Sequence, residues 1–263
     1  MELLSVASGS SGNCIYVGND ETRLLVDVGI SKIRVETGLL SAGIEPDKID
    51  GILVTHEHSD HIGGLGVFLR KYAIPVYATA LTIENILSTK SLGKLDPELF
   101  HPIRADEPFD IGSIRIIPIK TSHDALDSLA YRFESDGKAL AVMTDLGEYD
   151  DYIINSLKEL DAILLESNHD VCMLECGRYP YPLKQRILGS KGHLSNEASA
   201  RLAEEILCER LKYIILGHLS KENNMPVLAY ETYKCEFSAS GIDFDFNRIM
   251  VAKRDEVSEL IRV

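Results

Sequence analysis

The sequence predicts a layered α/β or α+β fold, in which helices cover the faces of β-sheets. Runs rich in β-branched residues, bounded by Gly, Asp and Asn, recur along the chain and predict strands. Other segments repeat apolar residues at the helical period. Strands dominate the first half with helices interspersed, whereas strand and helix alternate in the second half. A mixture of this kind is typical of sheets packed against helices.

Each predicted element is assigned from one of these two patterns, the β-branched runs or the helical repeat of apolar residues. The runs that predict strands are 3–6, 14–17, 23–28, 51–55, 76–78, 114–119, 129–133, 139–143, 162–165, 213–216 and 248–252. The segments that predict helices are 33–42, 62–72, 81–89, 152–160, 196–209 and 226–238. Ser195 is a good N-cap, and Pro226 stands where a first helical turn tolerates proline. The stretches 90–110 and 168–192 are predicted to be irregular, and long loops often carry function.

Length and composition predict one domain. The 263 residues are 45% hydrophobic and 26% charged, which is typical of an ordinary globular protein. A chain of this size buries roughly 70–75% of its unfolded surface, enough for one large core or two small ones. The sequence contains no short-period repeat, low-complexity tract or Pro/Gly/Ser linker. We therefore expect a single domain over residues 1–263.

Charge and cysteine content narrow the class of protein. The net charge of −14 argues against indiscriminate coating of nucleic acid, which relies on excess Lys and Arg, but it leaves room for a local basic patch. No apolar run reaches the ~18–20 residues that a membrane span needs, and the first residues do not resemble a signal peptide. The five cysteines are scattered and odd in number, which suits a reducing compartment. We therefore expect a cytoplasmic protein with no membrane partner.

The strongest chemical signal is the segment HEHSDH at 56–61, directly after an apolar predicted strand. Imidazole nitrogens and carboxylate oxygens suit Zn²⁺, Mn²⁺ or Fe. In an extended loop His56 and His58 point in one direction, because side chains alternate with a period of two. Asp60 and His61 fall where the next helix begins, so one short segment can serve two adjacent metals. The plainer alternative is a solvated polar loop.

Further candidates stand at or just beyond the ends of other apolar predicted strands. They are Asp27, His123, Asp145 and His218. Each one alone is more often a structural cap than a ligand. Strand ends on one sheet edge converge in space, however, and functional groups are placed well on such a rigid scaffold. The shared placement therefore favours a metal site.

At these residues the sequence resembles the metallo-β-lactamase-fold hydrolase superfamily. Its His-x-His-x-Asp-His signature is complete at 56–61, and the four strand-end residues match its remaining metal motifs. The resemblance implies an α+β fold, an αβ/βα four-layer sandwich with a dinuclear site at the sheet edge between the two halves. It implies a first metal held by His56, His58 and His123. It implies a second metal held by Asp60, His61 and His218, with Asp145 bridging the metals and Asp27 orienting a ligand imidazole.

Three segments narrow the resemblance to the bacterial YycJ/WalJ branch, which is described as exonuclease-like. They are SGSSGNC at 8–14, ESNHD at 166–170 and GHLSN at 192–196. The last two, with GHLS at 217–220, also resemble elements of the tRNA-processing endonuclease tRNase Z, where a glutamate and a histidine assist phosphodiester cleavage. The resemblance thus implies catalytic roles for Glu166 and His193. The long arm that grips tRNA in that family has no counterpart in this sequence, so tRNA is not the expected substrate.

Two further segments are candidates for substrate contact. The Gly-rich loop at 8–13, with Ser11 and Asn13, permits close backbone approach to a ligand, although a simple tight turn explains it equally well. The segment 178–191 carries interleaved tyrosines and no acid, a composition typical of contact surfaces for single strands or duplex ends. Its positive residues are Arg178, Lys184, Arg186 and Lys191. A mobile surface loop is the alternative.

Together these observations favour a two-metal phosphodiesterase, an exonuclease-like hydrolase of DNA or RNA that uses a metal-bridging hydroxide. Asp60 is expected to accept a hydrogen bond from the nucleophile, and His193, supported by Glu166, to stabilise the phosphate or protonate the leaving oxygen. One alternative keeps the site but hydrolyses a thioester, lactone or β-lactam; another is a non-catalytic or flavodiiron-like scaffold. The ligand types leave Zn²⁺, Mn²⁺ and Fe open. Strand preference, polarity and oligomeric state also stay open.

Overall fold

Two seven-stranded sheets lie face to face in the computed structural model, which describes residues 1–263. The first sheet contains β1 (Glu2–Ala7), β2 (Cys14–Gly18), β3 (Arg23–Val26), β4 (Gly51–Leu53), β5 (Val76–Ala78), β6 (Phe100–Pro102) and β14 (Ile261–Arg262). The second contains β7 (Phe109–Ile111), β8 (Ile114–Lys120), β9 (Leu129–Ser135), β10 (Lys138–Met143), β11 (Ala162–Glu166), β12 (Tyr213–Gly217) and β13 (Ile249–Val251).

The helices cover the outer faces of these sheets. They are α1 (Lys32–Ser41), α2 (Ser59–Ile62), α3 (Leu65–Tyr72), α4 (Ala80–Ser88), α5 (Asp151–Ser156), α6 (Val171–Cys176), α7 (Tyr181–Leu188), α8 (Asn196–Ile206) and α9 (Pro226–Ala239). Single 3₁₀ turns occur at Pro46–Lys48, Lys90–Leu92, Pro97–Leu99 and Phe246–Arg248. None of the helices combines the length and the apolar character that crossing a bilayer requires.

Three apolar clusters hold the layers together. Along β1, Leu3 packs in the cluster between the sheets, whereas Leu4 packs with Leu39 of α1 and Phe68 of α3. A third cluster joins the outer face of the second sheet to α5, α8 and α9. Each fully buried Leu or Phe side chain contributes roughly 1.5–3 kcal/mol. The order helix, sheet, sheet, helix confirms the predicted α+β four-layer sandwich.

Strand direction brings several loops to one edge. β3 to β6 run parallel in the first sheet, and β10 to β13 run parallel in the second. β8 and β10 share a direction, because each is antiparallel to β9. The carboxyl ends of β8, β10, β11 and β12 therefore meet at one edge, and those of β3 and β4 meet in the facing sheet. The predicted metal motifs follow these ends.

Every predicted strand is present, but the irregular stretches contain structure that we did not predict. The stretch 90–110 holds β6 and the start of β7 together with two 3₁₀ turns, and the stretch 168–192 holds α6 and α7. β6 is three residues long and β14 only two, too short for a readable alternation. The basic segment 178–191 is thus mainly a helix, and the prediction of an irregular loop is wrong there. Pro180 and Pro182 concealed this, although proline is tolerated in a first helical turn.

One predicted helix is broken by a pair of glycines. The segment 62–72 was expected to be continuous, yet α2 ends at Ile62 and α3 begins at Leu65. A Cβ atom on Gly64 would lie 1.8 Å from the carbonyl oxygen of Ile30, so only glycine fits where these two backbones cross. The break separates α2, which contains Asp60 and His61 of the motif at 56–61, from α3, which packs on the first sheet.

Candidate metal centre

The segment 56–61 is fixed by backbone contacts to the neighbouring strand end. The amide of Val28 donates to the carbonyl of His61 at 2.9 Å, and the amide of Asn13 donates to the carbonyl of Asp60 at 2.8 Å. Gly29 lies so close beneath this segment that a Cβ there would stand 1.7 Å from the Asp60 carbonyl oxygen. The loop after β4 is therefore held against the loop after β3, which orients its side chains.

A first cluster joins three histidines. His56, His58 and His123 place one ring nitrogen each within 4.8 Å of the others, and the Nε2 of His123 lies 3.4 Å from the Nδ1 of His58. The other nitrogen of His123 lies 3.1 Å from the carbonyl oxygen of Gly192, which fixes the ring. His56 is anchored likewise, with its Nδ1 3.0 Å from the Thr55 hydroxyl. These contacts leave one nitrogen of each ring facing a common point.

A second cluster joins Asp60, His61 and His218. The Oδ2 of Asp60 lies 3.4 Å from the Nε2 of both imidazoles. The opposite nitrogen of His61 lies 2.7 Å from the Oδ2 of Asp27, whose carboxylate also accepts hydrogen bonds from the amide and hydroxyl of Thr55. Asp27 is thus placed as the resemblance implies, against the back of the His61 ring.

Asp145 stands between the two clusters. Its Oδ2 lies 3.3 Å from the Nε2 of His61, and its Oδ1 lies 3.6 Å from the Nε2 of His123. The carboxylate is buried, with 3% of the side chain exposed. A single group that reaches one member of each cluster has the position expected of a bridge.

Among the proposed ligands, two buried polar atoms have no hydrogen-bond partner in the protein, the Nε2 of His56 and the Oδ2 of Asp145. Burial lowers the pKa of His56 well below its usual value, so its imidazole is neutral. Burial alone raises the pKa of Asp145, but the imidazoles of His218 and His61 outweigh it and hold that pKa well below its usual range. A neutral imidazole and an ionised carboxylate are the forms that bind cations. The His and Asp clusters therefore fit divalent metal binding.

Glu166 and His193 flank the second cluster. The Oε1 of Glu166 lies 2.8 Å from the Nδ1 of both His193 and His218, and its Oε2 accepts hydrogen bonds from the amides of Leu146 and Leu194. Burial raises the pKa of Glu166, but His193 and His218 outweigh it and bring the pKa to about 2. Burial lowers the pKa of His193, but Glu166 and Asp145 together raise it above its ordinary value. Glu166 is fully buried, whereas 20% of the His193 side chain reaches solvent.

Three residues of the centre adopt left-handed backbone conformations. Asp27, Asp145 and His218 have φ angles of 62°, 59° and 54°. Left-handed backbone is uncommon outside glycine and concentrates at functional sites, where the surrounding structure holds it. Asp27 and His218 directly follow their strands, and Asp145 comes one residue later, so the sharp turns aim these side chains across the sheet edge.

A family model described as a β-lactamase superfamily domain matches residues 22–215. The chain belongs to the β-lactamase superfamily. It is 41% identical to the exodeoxyribonuclease WalJ of Streptococcus pneumoniae serotype 2 over 243 residues, which cover 92% of this chain and 90% of that relative. It is also 41% identical to the exodeoxyribonuclease YycJ of Bacillus anthracis, over 85% of this chain and 84% of the relative. The resemblance to the YycJ/WalJ branch is confirmed.

A solved structure supports the fold of this β-lactamase superfamily protein. The crystal structure of the metallo-β-lactamase fold protein YhfI from Bacillus subtilis superposes with a TM-score of 0.69 at 18% sequence identity. The match covers 98% of this chain and 99% of that one. Similarity at this identity establishes a shared fold over the whole chain.

The two predicted substrate-contact residues of the Gly-rich loop differ in their exposure to solvent. Asn13 is buried: its Oδ1 accepts from the Gly9 amide and its Nδ2 lies 3.3 Å from the Nε2 of His61, so it supports the metal loop from below. Ser11 is exposed beside the Arg254 guanidinium, 3.4 Å away. Asn13 therefore presents no open surface to a substrate, because burial and these contacts occupy its amide.

Within the basic segment, only part of the positive charge is free. Arg186 forms an ion pair with Asp124, and Lys184 donates to the Glu175 carbonyl at 2.7 Å. Arg178 and Lys191 are exposed and make no ion pair. The free charge on this surface is therefore carried mainly by Arg178 and Lys191.

Sequence reasoning overlooked two residues of the centre. Thr55 contacts the rings of His56 and His61 as well as Asp27, and its position directly before the motif was the available signal. Asp124 follows His123 directly, with its Oδ1 3.4 Å from the Nε2 of that histidine. His169 does not join the centre, because it belongs to none of the groups whose ligand atoms lie within 4.8 Å of one another.

Proposed function

We propose that the chain is a metal-dependent phosphodiesterase of nucleic acid, acting as an exonuclease-like hydrolase on DNA or RNA. The relatives named as exodeoxyribonucleases, at 41% identity over most of the chain, support this class of substrate. The observation that supports the proposal most directly is the position of His193. Its ring centroid lies 5.1 Å from that of His123 and 5.3 Å from that of His218, so a partly exposed imidazole faces both clusters. A group in this position suits a phosphate bound at the metals.

In this proposal the cofactor is a pair of divalent cations, Zn²⁺ or Mn²⁺ and alternatively Fe. The residues that would hold the first are His56, His58 and His123. The residues that would hold the second are Asp60, His61 and His218, with Asp145 reaching both. When bound, two such cations lower the pKa of water and clamp the attacking and leaving oxygens of an in-line displacement.

The protein's own groups then orient the reactants and move protons. Asp60 has 22% of its side chain exposed, and it accepts a hydrogen bond from the attacking water. His193 keeps its Nδ1 on Glu166, which leaves its Nε2 free to bind a phosphate oxygen and to protonate the leaving oxygen. Glu166 has both oxygens engaged inside the protein, so it acts through His193 and His218 as a positioning residue.

We also infer that the protein works in a reducing, cytoplasmic compartment. All five cysteines are free, and three of them, Cys172, Cys176 and Cys235, are exposed. Exposed free thiols persist where the cell keeps them reduced.

The test removes the His193 imidazole and leaves the ligand set intact. We expect His193→Ala to cut turnover of end-labelled single- or double-stranded DNA or RNA by about 10²- to 10⁴-fold, because a positioned acid contributes that much. Metal content, measured by plasma mass spectrometry after adding Zn²⁺, Mn²⁺ or Fe²⁺ to apoprotein, should stay unchanged. The matched control is His101→Ala, since His101 is exposed and stacks on Tyr77 outside the centre.

Two outcomes contradict the proposal. One is nuclease activity that His193→Ala leaves at the level of the unmodified protein. The other is a metal-loaded protein that hydrolyses a thioester or nitrocefin but not bis-p-nitrophenyl phosphate, which would favour the acyl hydrolase instead.

A further inference from the structure

A small cavity lies beside the proposed active site, between α7 and the loops that follow β1, β11 and β12. We call it the α7 cavity, and its volume is about 170 Å³. One wall consists of Tyr179, Leu183 and Ile187, and the other of Ser10, Asn168 and Ser220. Neither the proposed metal ligands nor the proposed acid accounts for these six side chains.

The α7 cavity opens beside the metal centre. His193 and Asp124 also line it, and both contact groups of the centre. Whatever fills the cavity therefore lies next to a phosphate that His193 contacts. Because this phosphate is the proposed scissile group, the occupant is the nucleoside attached to it.

The two walls match the two kinds of surface on a nucleobase. The aromatic and aliphatic side chains of Tyr179, Leu183 and Ile187 suit the flat face of a base. On the polar wall, the Nδ2 of Asn168 donates to the His218 carbonyl at 2.9 Å, while no protein donor reaches its Oδ1. The hydroxyls of Ser10 and Ser220 add groups that both donate and accept. This wall suits the polar edge of a base.

Its size limits the α7 cavity to one base. Pockets for drug-sized ligands hold roughly 300–1,000 Å³, well above the volume found here. The loop after α7 is held against that helix, because the amide of His193 donates to the Ile187 carbonyl at 3.0 Å. That loop also packs on Gly147, where a Cβ would lie 2.3 Å from the Ser190 carbonyl oxygen. With a volume of about 170 Å³, the cavity accommodates one base and not a further nucleotide beyond it.

We propose that the α7 cavity binds the base of the terminal nucleotide of a nucleic-acid strand and so confines cleavage to strand ends. This inference rests on the proposed function, since it names the part of the substrate that lies beside the scissile phosphate. Tyr179 stacks on the base, and Asn168 reads its edge without selecting one base strongly. The cavity thereby favours removal of one terminal nucleotide over cleavage within a strand.

The experiment combines Tyr179→Ala with substrates that lack the terminal base. Oligonucleotides labelled for release of the first nucleotide are prepared with an ordinary or an abasic terminal residue, at the 5′ end and at the 3′ end. On the end that is digested, Tyr179→Ala should lower kcat/KM by about 5- to 100-fold, the effect of losing one base–aromatic stack. On the abasic end the same substitution should have no effect, because no base remains to stack. Tyr179→Phe should retain the rate.

Further variants keep the result interpretable. Leu188→Ala, on the same helix but outside the α7 cavity, should leave both substrates unaffected. Ile187→Trp should fill the cavity and lower the rate on ordinary ends while hydrolysis of bis-p-nitrophenyl phosphate, which has no base, continues. Equal losses on ordinary and abasic ends for Tyr179→Ala would overturn the inference. Absence of any phosphodiester hydrolysis by the unmodified protein would instead defeat the proposed function itself.

Discussion

At the residue scale, the proposed role of Asp27 in orienting His61 depends on one contact. Its Oδ2 lies 2.7 Å from the Nδ1 of His61, and its backbone is left-handed with a φ of 62°. Asparagine tolerates this backbone conformation, so Asp27→Asn changes the charge and leaves the turn intact. The substitution therefore removes the negative charge and one acceptor oxygen while it keeps the turn.

We expect Asp27→Asn to lower the affinity for the proposed second metal, the one assigned to His61, by about 10- to 100-fold. Removal of a carboxylate behind a metal-bound histidine typically has an effect of this size. Equilibrium dialysis against Zn²⁺ or Mn²⁺, with competing chelators, measures the two affinities. Asp161→Asn is the control, because Asp161 is a buried carboxylate that contacts Ala139 and Arg210 away from the centre. Two unchanged metal affinities in Asp27→Asn would contradict the orienting role.

Gly29 is a second position where one atom decides the geometry. A methyl group there would overlap the Asp60 carbonyl, which is 1.7 Å from the ideal Cβ position. We expect Gly29→Ala to displace the 56–61 segment and to lower both metal content and the melting temperature. Gly43→Ala is the matched control, since nothing lies within 4 Å of its Cβ position. Its left-handed φ alone should cost about 1–2 kcal/mol of stability and leave metal binding intact.

At the scale of elements, the free positive charge of the basic segment lies at the two ends of α7. Arg178 and Lys191 flank the helix, are exposed and lack ion pairs. We expect both residues to contact phosphates. Replacing the two by Gln should then reduce the magnitude of the slope of log affinity against log salt concentration by about 1.4 for a single strand and about 1.8 for a duplex. Fluorescence anisotropy with a labelled oligonucleotide at several salt concentrations gives this slope.

The control for this prediction changes the same charge elsewhere. Lys48 and Lys158 are exposed and precede β4 and β11, so they lie at the opposite edge of the sheets. Replacing both by Gln should leave the salt slope unchanged. An equal change in slope for both double variants would show that overall charge, rather than the α7 surface, determines binding.

The elements also show where sequence reasoning succeeds. Strands such as β8 and β10 are long enough for β-branched patterns to be read, and the histidines and carboxylates at their ends stand out against apolar neighbours. The helix α7 was missed because proline at its start and charged residues along it leave no clear apolar stripe. None of its residues is buried, and Leu183 and Ile187 beside the α7 cavity are only half-buried. The break between α2 and α3 depends on the Ile30 carbonyl, a contact between segments that local propensity does not encode.

The clustering of the proposed ligands was predictable, whereas the contacts that support them were not. The spacing at 56–61 and the strand-end placement of His123 and His218 are local features of the sequence. The hydrogen bond from Asn13 to Asp60 and the contact between His123 and the Gly192 carbonyl join segments that are far apart along the chain. Such contacts depend on how the two sheets pack, which local sequence patterns do not encode.

At the scale of the whole molecule, the proposed metals join the two sheets. Loops of the first sheet supply the segment 56–61 and Asp27, and loops of the second sheet supply His123, Asp145 and His218. In the absence of cations, the negative charges of Asp60 and Asp145 are compensated only by protonated imidazoles of the neighbouring histidines. Cations that bind the folded protein alone stabilise it by mass action, in addition to their chemical role.

We therefore expect metal removal to lower the melting temperature. Saturation at 100 times the dissociation constant adds about 2.7 kcal/mol per site, which corresponds to about 5–10 °C for a domain somewhat larger than 200 residues. Calorimetry of chelator-treated protein, before and after adding Mn²⁺ or Zn²⁺, measures the shift. His193→Ala should show the full shift because it keeps the proposed ligands, and Asp27→Asn should show a smaller one. A shift of the same size in all three proteins would mean that the cations stabilise the fold at another place, since only contacts made through His61 distinguish Asp27→Asn from the others.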